Sequence, residues 1–181
     1  GIPLKKIRLK EGNNSEYEQQ MEALLLEAKQ DGIDHVIFGD IFLEDLRQYR
    51  ENNLAKVGMK GVFPLWKMNT KDLIHDFISL KFKTVICCTN DAYLGQEWLG
   101  REINTAFLKE LPANIDPCGE NGEVHTFCFA GPIFKTPVQF TAGEHVYKPL
   151  EINTADDDNC RSDSGTKGFW FCDLIPENFV L

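Results

Sequence analysis

The stretch His35-Val36-Ile37-Phe38-Gly39-Asp40 decides the fold class. Its apolar run does not alternate with polar residues, and such runs suit strands covered on both faces, as in a parallel sheet. Lys83-Thr84-Val85-Ile86-Cys87-Cys88 reads as a second buried strand of this kind, and residues 4–9 as a short third. Helical patterns separate them. Tyr17, Met21, Leu24, Leu25 and Ala28 form one apolar stripe, opened by Ser15 with Glu18 at capping-box spacing and stopped by Gly32. Residues 42–57 form a more polar helix that ends before Gly58, and 61–66 a turn or short extended piece. Asn69 or Thr70 caps a helix carrying Leu73, Ile74, Phe77 and Ile78. A further helix is expected over 96–111, with Leu99, Ile103, Ala106 and Phe107 on one face. Alternating strands and helices imply parallel pairing through crossovers.

The second half changes character. Residues 111–123 contain Pro112, Pro117, Gly119 and Gly122 and are loop-rich. Strands are expected over 124–130, 144–152 and 168–174, with a polar hairpin loop over 153–167. The reading is therefore α/β: a partial open parallel sheet with flanking helices over 1–95, and a smaller, mostly β subdomain over 96–181. The chain has 181 residues, 43% of them hydrophobic, which suffices for a full core. Its net charge of −9 opposes nonspecific binding to a nucleic-acid backbone. No apolar run approaches the roughly 20 residues that span a bilayer. The six cysteines form no Cys-x-x-Cys pair, so they read as reduced thiols of a cytoplasmic protein.

Open parallel sheets bind ligands beyond the carboxyl ends of their strands. Gly39 and Asp40 lie at one such end, where glycine admits close backbone approach and the carboxylate can meet a metal, ribose or amine. Asn90 and Asp91 lie at another. Capping and turn formation are the competing roles for both acids. The densest cluster is Gly119-Glu120-Asn121-Gly122-Glu123-Val124-His125-Thr126-Phe127. If a strand starts at Glu123, then Glu123, His125 and Phe127 share a face. A carboxylate there would raise the basicity of His125 and fix its tautomer. Glu120 could bind an ammonium group or assist proton transfer; the competing reading is a polar turn. Arg101 offers a guanidinium to a phosphate or carboxylate, or else pairs with Glu97 or Glu102. Asp156-Asp157-Asp158 departs from a calcium loop because Cys160 replaces a ligand oxygen, and no metal site is expected. No phosphate loop and no Gly-x-Ser-x-Gly elbow is present. The residues alone point to a small-molecule site without naming a reaction.

Phe38-Gly39-Asp40-Ile41, Pro64-Leu65-Trp66, Trp98-Leu99-Gly100-Arg101 and Gly119-Glu120-Asn121-Gly122-Glu123 followed by His125-Thr126-Phe127 resemble, in order and spacing, the diphthine–ammonia ligase family of the PP-loop superfamily. The resemblance spans roughly residues 1–135. It implies a nucleotide-binding α/β domain, truncated here, and a smaller C-terminal domain. It also implies binding of ATP with magnesium, adenylylation of a carboxylate (diphthine on a translation elongation factor) and attack by ammonia to form an amide. On this basis Gly39 and Asp40 would lie by the nucleotide. Glu120, Glu123 and His125 would be catalytic, Asn121, Gly122 and Thr126 would face the second substrate, and Arg101 would neutralise charge. Two departures stand out. The Ser-Gly-Gly-x-Asp-Ser loop that holds the phosphates is missing, so this chain is expected to bind ATP poorly and not to turn it over. Val124 stands where relatives carry an aromatic residue. The alternatives are a noncatalytic binding or regulatory module, or a subunit that pairs with a chain carrying the loop. Self-association into a homo-oligomer is favoured by an exposed sheet edge.

Overall fold

The computed structural model describes residues 3–10, 13–150 and 165–177. The chain divides into two compact units between Lys67 and Met68. The acidic run at 156–158, Cys160 and most of the expected hairpin loop lie outside the described residues.

In the first unit, α1 (Asn14–Gln30) precedes β1 (His35–Ile37), α2 (Glu44–Lys56) and β2 (Lys60–Val62). Asn13, rather than Ser15, caps α1: its side chain accepts the Glu16 amide at 2.8 Å. Gly32 takes φ +86° just beyond the helix. β1 and β2 pair in parallel, His35 opposite Lys60 and Ile37 opposite Val62. Leu25 of α1 and Leu54 of α2 meet Val57 and Met59 in a small core, with Val36 and Phe38 packed against it. Residues 4–9 form no strand, and Leu4 is 77% exposed. The apolar residues there are real, but no partner strand satisfies their backbone groups among the described residues.

The second unit carries α3 (Thr70–Ser79), β3 (Lys83–Asn90), α4 (Thr105–Glu110), β4 (Val124–Ala130), β5 (Phe140–Pro149) and β6 (Gly168–Pro176). Of the two expected caps, Asn69 and Thr70, it is Asn69 that caps α3, accepting the amides of Lys71 and Asp72. The strands form a four-stranded antiparallel sheet in the order β4-β3-β6-β5. The α/β class therefore holds, with one correction: β3 does not extend the parallel sheet but lies at the centre of the antiparallel one. Helix–strand rhythm reports that a strand is buried, not which neighbours bond its edges.

The helix expected over 96–111 is also broken. A 3-10 turn covers Gln96–Trp98, Gly100 takes φ +74°, and Asn104 caps the short α4 through the amides of Ala106 and Phe107. Between these pieces the chain runs alongside β3: Gly100 N donates to Ile86 O, Arg101 O accepts from Ile86 N, and Ile103 N donates to Thr84 O. β6 pairs only with residues 88–90 of β3, so this segment satisfies the backbone groups that β6 leaves free. Three of the four expected apolar residues survive the break: Leu99, Ile103 and Phe107 join the core around Ile86 with Trp98, whereas Ala106 is exposed.

Candidate functional site

Gly39 and Asp40 belong to the first unit; the other residues proposed from the sequence belong to the second. In the first unit the Asp40 carboxylate is taken by Arg50: Oδ2 lies 2.6 Å from Nε and Oδ1 accepts from Nη2 at 3.2 Å. The pair is largely buried, and the guanidinium stacks over Phe38 at 4.5 Å. Arg50 also walls a hollow of about 220 Å³ between α1 and α2, together with Tyr17, Tyr49 and Leu54. Gly39 is open, since a Cβ there would meet nothing within 4 Å.

In the second unit the acidic cluster forms a tightly bonded turn at the start of β4. Glu123 is fully buried. Its Oε1 accepts the Asp116 amide at 2.9 Å and Asn121 Nδ2 at 3.0 Å, and its Oε2 accepts the Asn121 amide at 2.9 Å. Asp116 Oδ2 in turn accepts the Glu120 amide, and Gly122 N donates to Gly119 O. Two acidic side chains thus fix the backbone of the turn from inside. His125 and Thr126 stand exposed on β4, opposite Cys88 and Ile86. Glu123 precedes the strand and its carboxylate partners lie in the loop, so Glu123 and His125 do not act from one strand face. Asn121 is exposed and Glu120 half-buried. Chemically, the exposed side chains of this turn offer an imidazole, a hydroxyl and an amide.

Gly119 and Gly122 take φ +71° and +80°, the conformation their positions in the sequence invite. They differ in surroundings. A Cβ on Gly119 would lie 2.7 Å from Val124 Cγ2 and 3.3 Å from its carbonyl oxygen; one on Gly122 would meet nothing within 4 Å. Gly119→Ala is expected to cost about 2 kcal/mol and Gly122→Ala about 1 kcal/mol, read as shifts in the urea midpoint. Equal costs would show that the Val124 contact does not constrain the turn.

Arg101 is half-buried. Its guanidinium lies 4.4 Å over Trp98 and 5.4 Å over Phe107, and it pairs with Glu110 at 2.7 Å rather than with Glu97 or Glu102. Cys118, within the loop, donates to Thr70 O; burial pushes its thiol up to about 12, with the nearby charges of Asp116 and Glu120 adding to the rise. It is not a nucleophile at neutral pH.

Asn90 and Asp91 at the end of β3 hold structure on both sides. Asp91 Oδ1 accepts the amides of Lys167 and Gly168, and Oδ2 accepts the Tyr147 hydroxyl at 2.7 Å. Partial burial pushes the Asp91 carboxyl up, but these hydrogen bonds and the Lys167 charge outweigh it and hold the group below its ordinary value. Its contribution to stability is therefore complete above about pH 4 and fades as pH falls through the lowered value. Asp91→Asn should lose stability at pH 7 and lose less of it at pH 3; parallel wild-type and variant curves would refute the assignment.

The sequence places Asn90 at a strand end without a role, and it gives no notice of Asp116 or Arg50. The signals are weak. Asn90 is a polar residue closing a buried strand, and Asp116 is an acid four residues before Glu120. Arg50 sits on a polar helix, where nothing in the sequence sets it apart from its charged neighbours.

Residues 69–154 match the family described as Diphthamide synthase C-terminal domain. Among curated proteins, the chain is similar to the diphthine–ammonia ligases of Mus musculus (28% identical), Rattus norvegicus (30%) and Homo sapiens (29%). Each match runs over 139 residues, covering 72% of this chain and 51% of the relative. The chain therefore spans about half the length of the curated relatives it matches. The acidic turn, His125 and Thr126 all lie inside the family match.

Proposed function

We infer, from the match of residues 69–154 to the Diphthamide synthase C-terminal domain and the similarity to diphthine–ammonia ligases, that this chain is the substrate-recognition portion of an ATP-dependent, amide-forming ligase. The observation that carries this reading is the acidic turn, whose backbone is held from within by Glu123 and Asp116 while Asn121, His125 and Thr126 stand exposed. A turn fixed in this way presents polar groups at little entropic cost on binding. Glu120 is suited to an ammonium or ammonia, and His125 and Thr126 to the carboxylate that ammonia attacks. Glu123 is a positioning residue here, because its own oxygens are occupied inside the loop.

The intact ligase would consume ATP with magnesium to activate the carboxylate. The described residues do not fit a triphosphate: Asp40 is committed to Arg50, Gly39 has no second glycine beside it, and the sequence carries no glycine-rich phosphate loop. The activation step is therefore assigned to no residue of this chain. Calorimetry tests the reading directly. The chain should bind an elongation factor carrying diphthine, lose that binding in His125→Ala, and give no micromolar isotherm with ATP. Failure to bind the modified factor, or micromolar ATP binding competed by AMP, would overturn it.

A further inference from the structure

We propose that Asn90 is the positioning residue of the acidic turn, tying it to the residues that lead into β6 so that both move as one body. The proposal rests on the reading of the turn as a substrate element. Asn90 closes the central strand β3 and is 6% exposed. Its backbone amide donates to Glu123 O at 2.9 Å, and its side-chain Nδ2 donates to Gly122 O at 3.4 Å. On the other side, Oδ1 accepts the Ala92 amide at 3.1 Å and the Thr166 hydroxyl at 3.0 Å. Thr166 directly precedes Lys167 and Gly168, whose amides Asp91 holds. One carboxamide thus joins the left-handed glycine of the turn to the start of β6.

The chemistry requires asparagine at this position. The reversed amide would set its NH2 against the Ala92 amide, donor against donor, so the orientation is fixed. Aspartate would keep both acceptor bonds and set an oxygen against Gly122 O. Alanine would leave buried partners on both sides unmet. Asn90→Asp therefore cuts the tie to the turn while sparing the tie to Thr166.

Amide hydrogen exchange in the 181-residue chain tests this. In Asn90→Asp the amides of Asn121 and Gly122 should exchange about five- to tenfold faster, the loss expected for one net hydrogen bond, while those of the β5–β6 ladder stay unchanged. Thr166→Val should speed the same turn amides by a smaller factor, through the loosened carboxamide. Affinity of the Asn90→Asp chain for the diphthine-bearing factor should fall about tenfold, the same single hydrogen bond lost, and the urea midpoint should fall as well, because the variant buries a carboxylate oxygen against Gly122 O. Unchanged turn amides in Asn90→Asp would overturn the positioning role, whatever happens to binding. Faster turn amides with unchanged affinity would leave the tie standing and overturn the substrate reading of the turn.

Discussion

Glu123→Ala should lower the stability of the second unit by about 3 kcal/mol or more, read as a fall in the urea midpoint. The side chain is fully buried and accepts three hydrogen bonds. Removing it strands the amides of Asp116 and Asn121 away from water, at a cost of roughly 1–3 kcal/mol for each unmet buried group. Glu123→Gln is the sharper test. Glutamine can keep its oxygen toward Asp116 N and Asn121 Nδ2, but its NH2 then opposes the Asn121 amide. An intermediate loss of about 1.5 kcal/mol is expected. A Glu123 that served only as a catalytic base would behave differently, since both variants would then leave the midpoint within about 0.5 kcal/mol of wild type.

Asp40→Ala should destabilise the first unit by about 2–3 kcal/mol. Its carboxylate is 12% exposed and faces Arg50, which is 28% exposed and stacked over Phe38. Removing one partner of a largely buried pair leaves the other charge poorly solvated. The arginine keeps some contact with water, which places the loss below that of a fully buried pair. The first unit is a small one, with a core of Leu25, Leu54, Val57 and Met59 and a two-stranded sheet. Faster amide exchange in α2, with the amides of β3 unchanged, is the expected signature. Wild-type exchange in α2 would remove the structural role of Asp40 and return it to the set of ligand-facing residues.

Several features follow from local rules. The α3 cap at Asn69, the stop at Gly32 and the left-handed glycines at 119 and 122 depend on short-range backbone chemistry, which neighbouring residues suffice to specify. The density of polar groups at 119–126 is likewise plain in the order of residues. Misreadings arise where the outcome depends on distant partners. The apolar spacing over 96–111 identifies Leu99, Ile103 and Phe107 as buried, but Ala106 is exposed and Trp98 takes a place in the core, because the backbone there leaves the helix to bond β3. Residues 4–9 have strand composition without a strand.

Amino-acid order thus settles which side chains are apolar, that one helix stops at Gly32 and another starts near Asn69, and that carboxylates crowd one loop. Which of those carboxylates are spent inside the protein, and which groups face outward, emerges with the packing of distant segments. Glu123 and Asp40 are taken by Asp116, Asn121 and Arg50, whereas His125 and Thr126 remain exposed. A side chain's charge is a local property, but its hydrogen-bond partners and its distance from water are set by segments far away in the sequence.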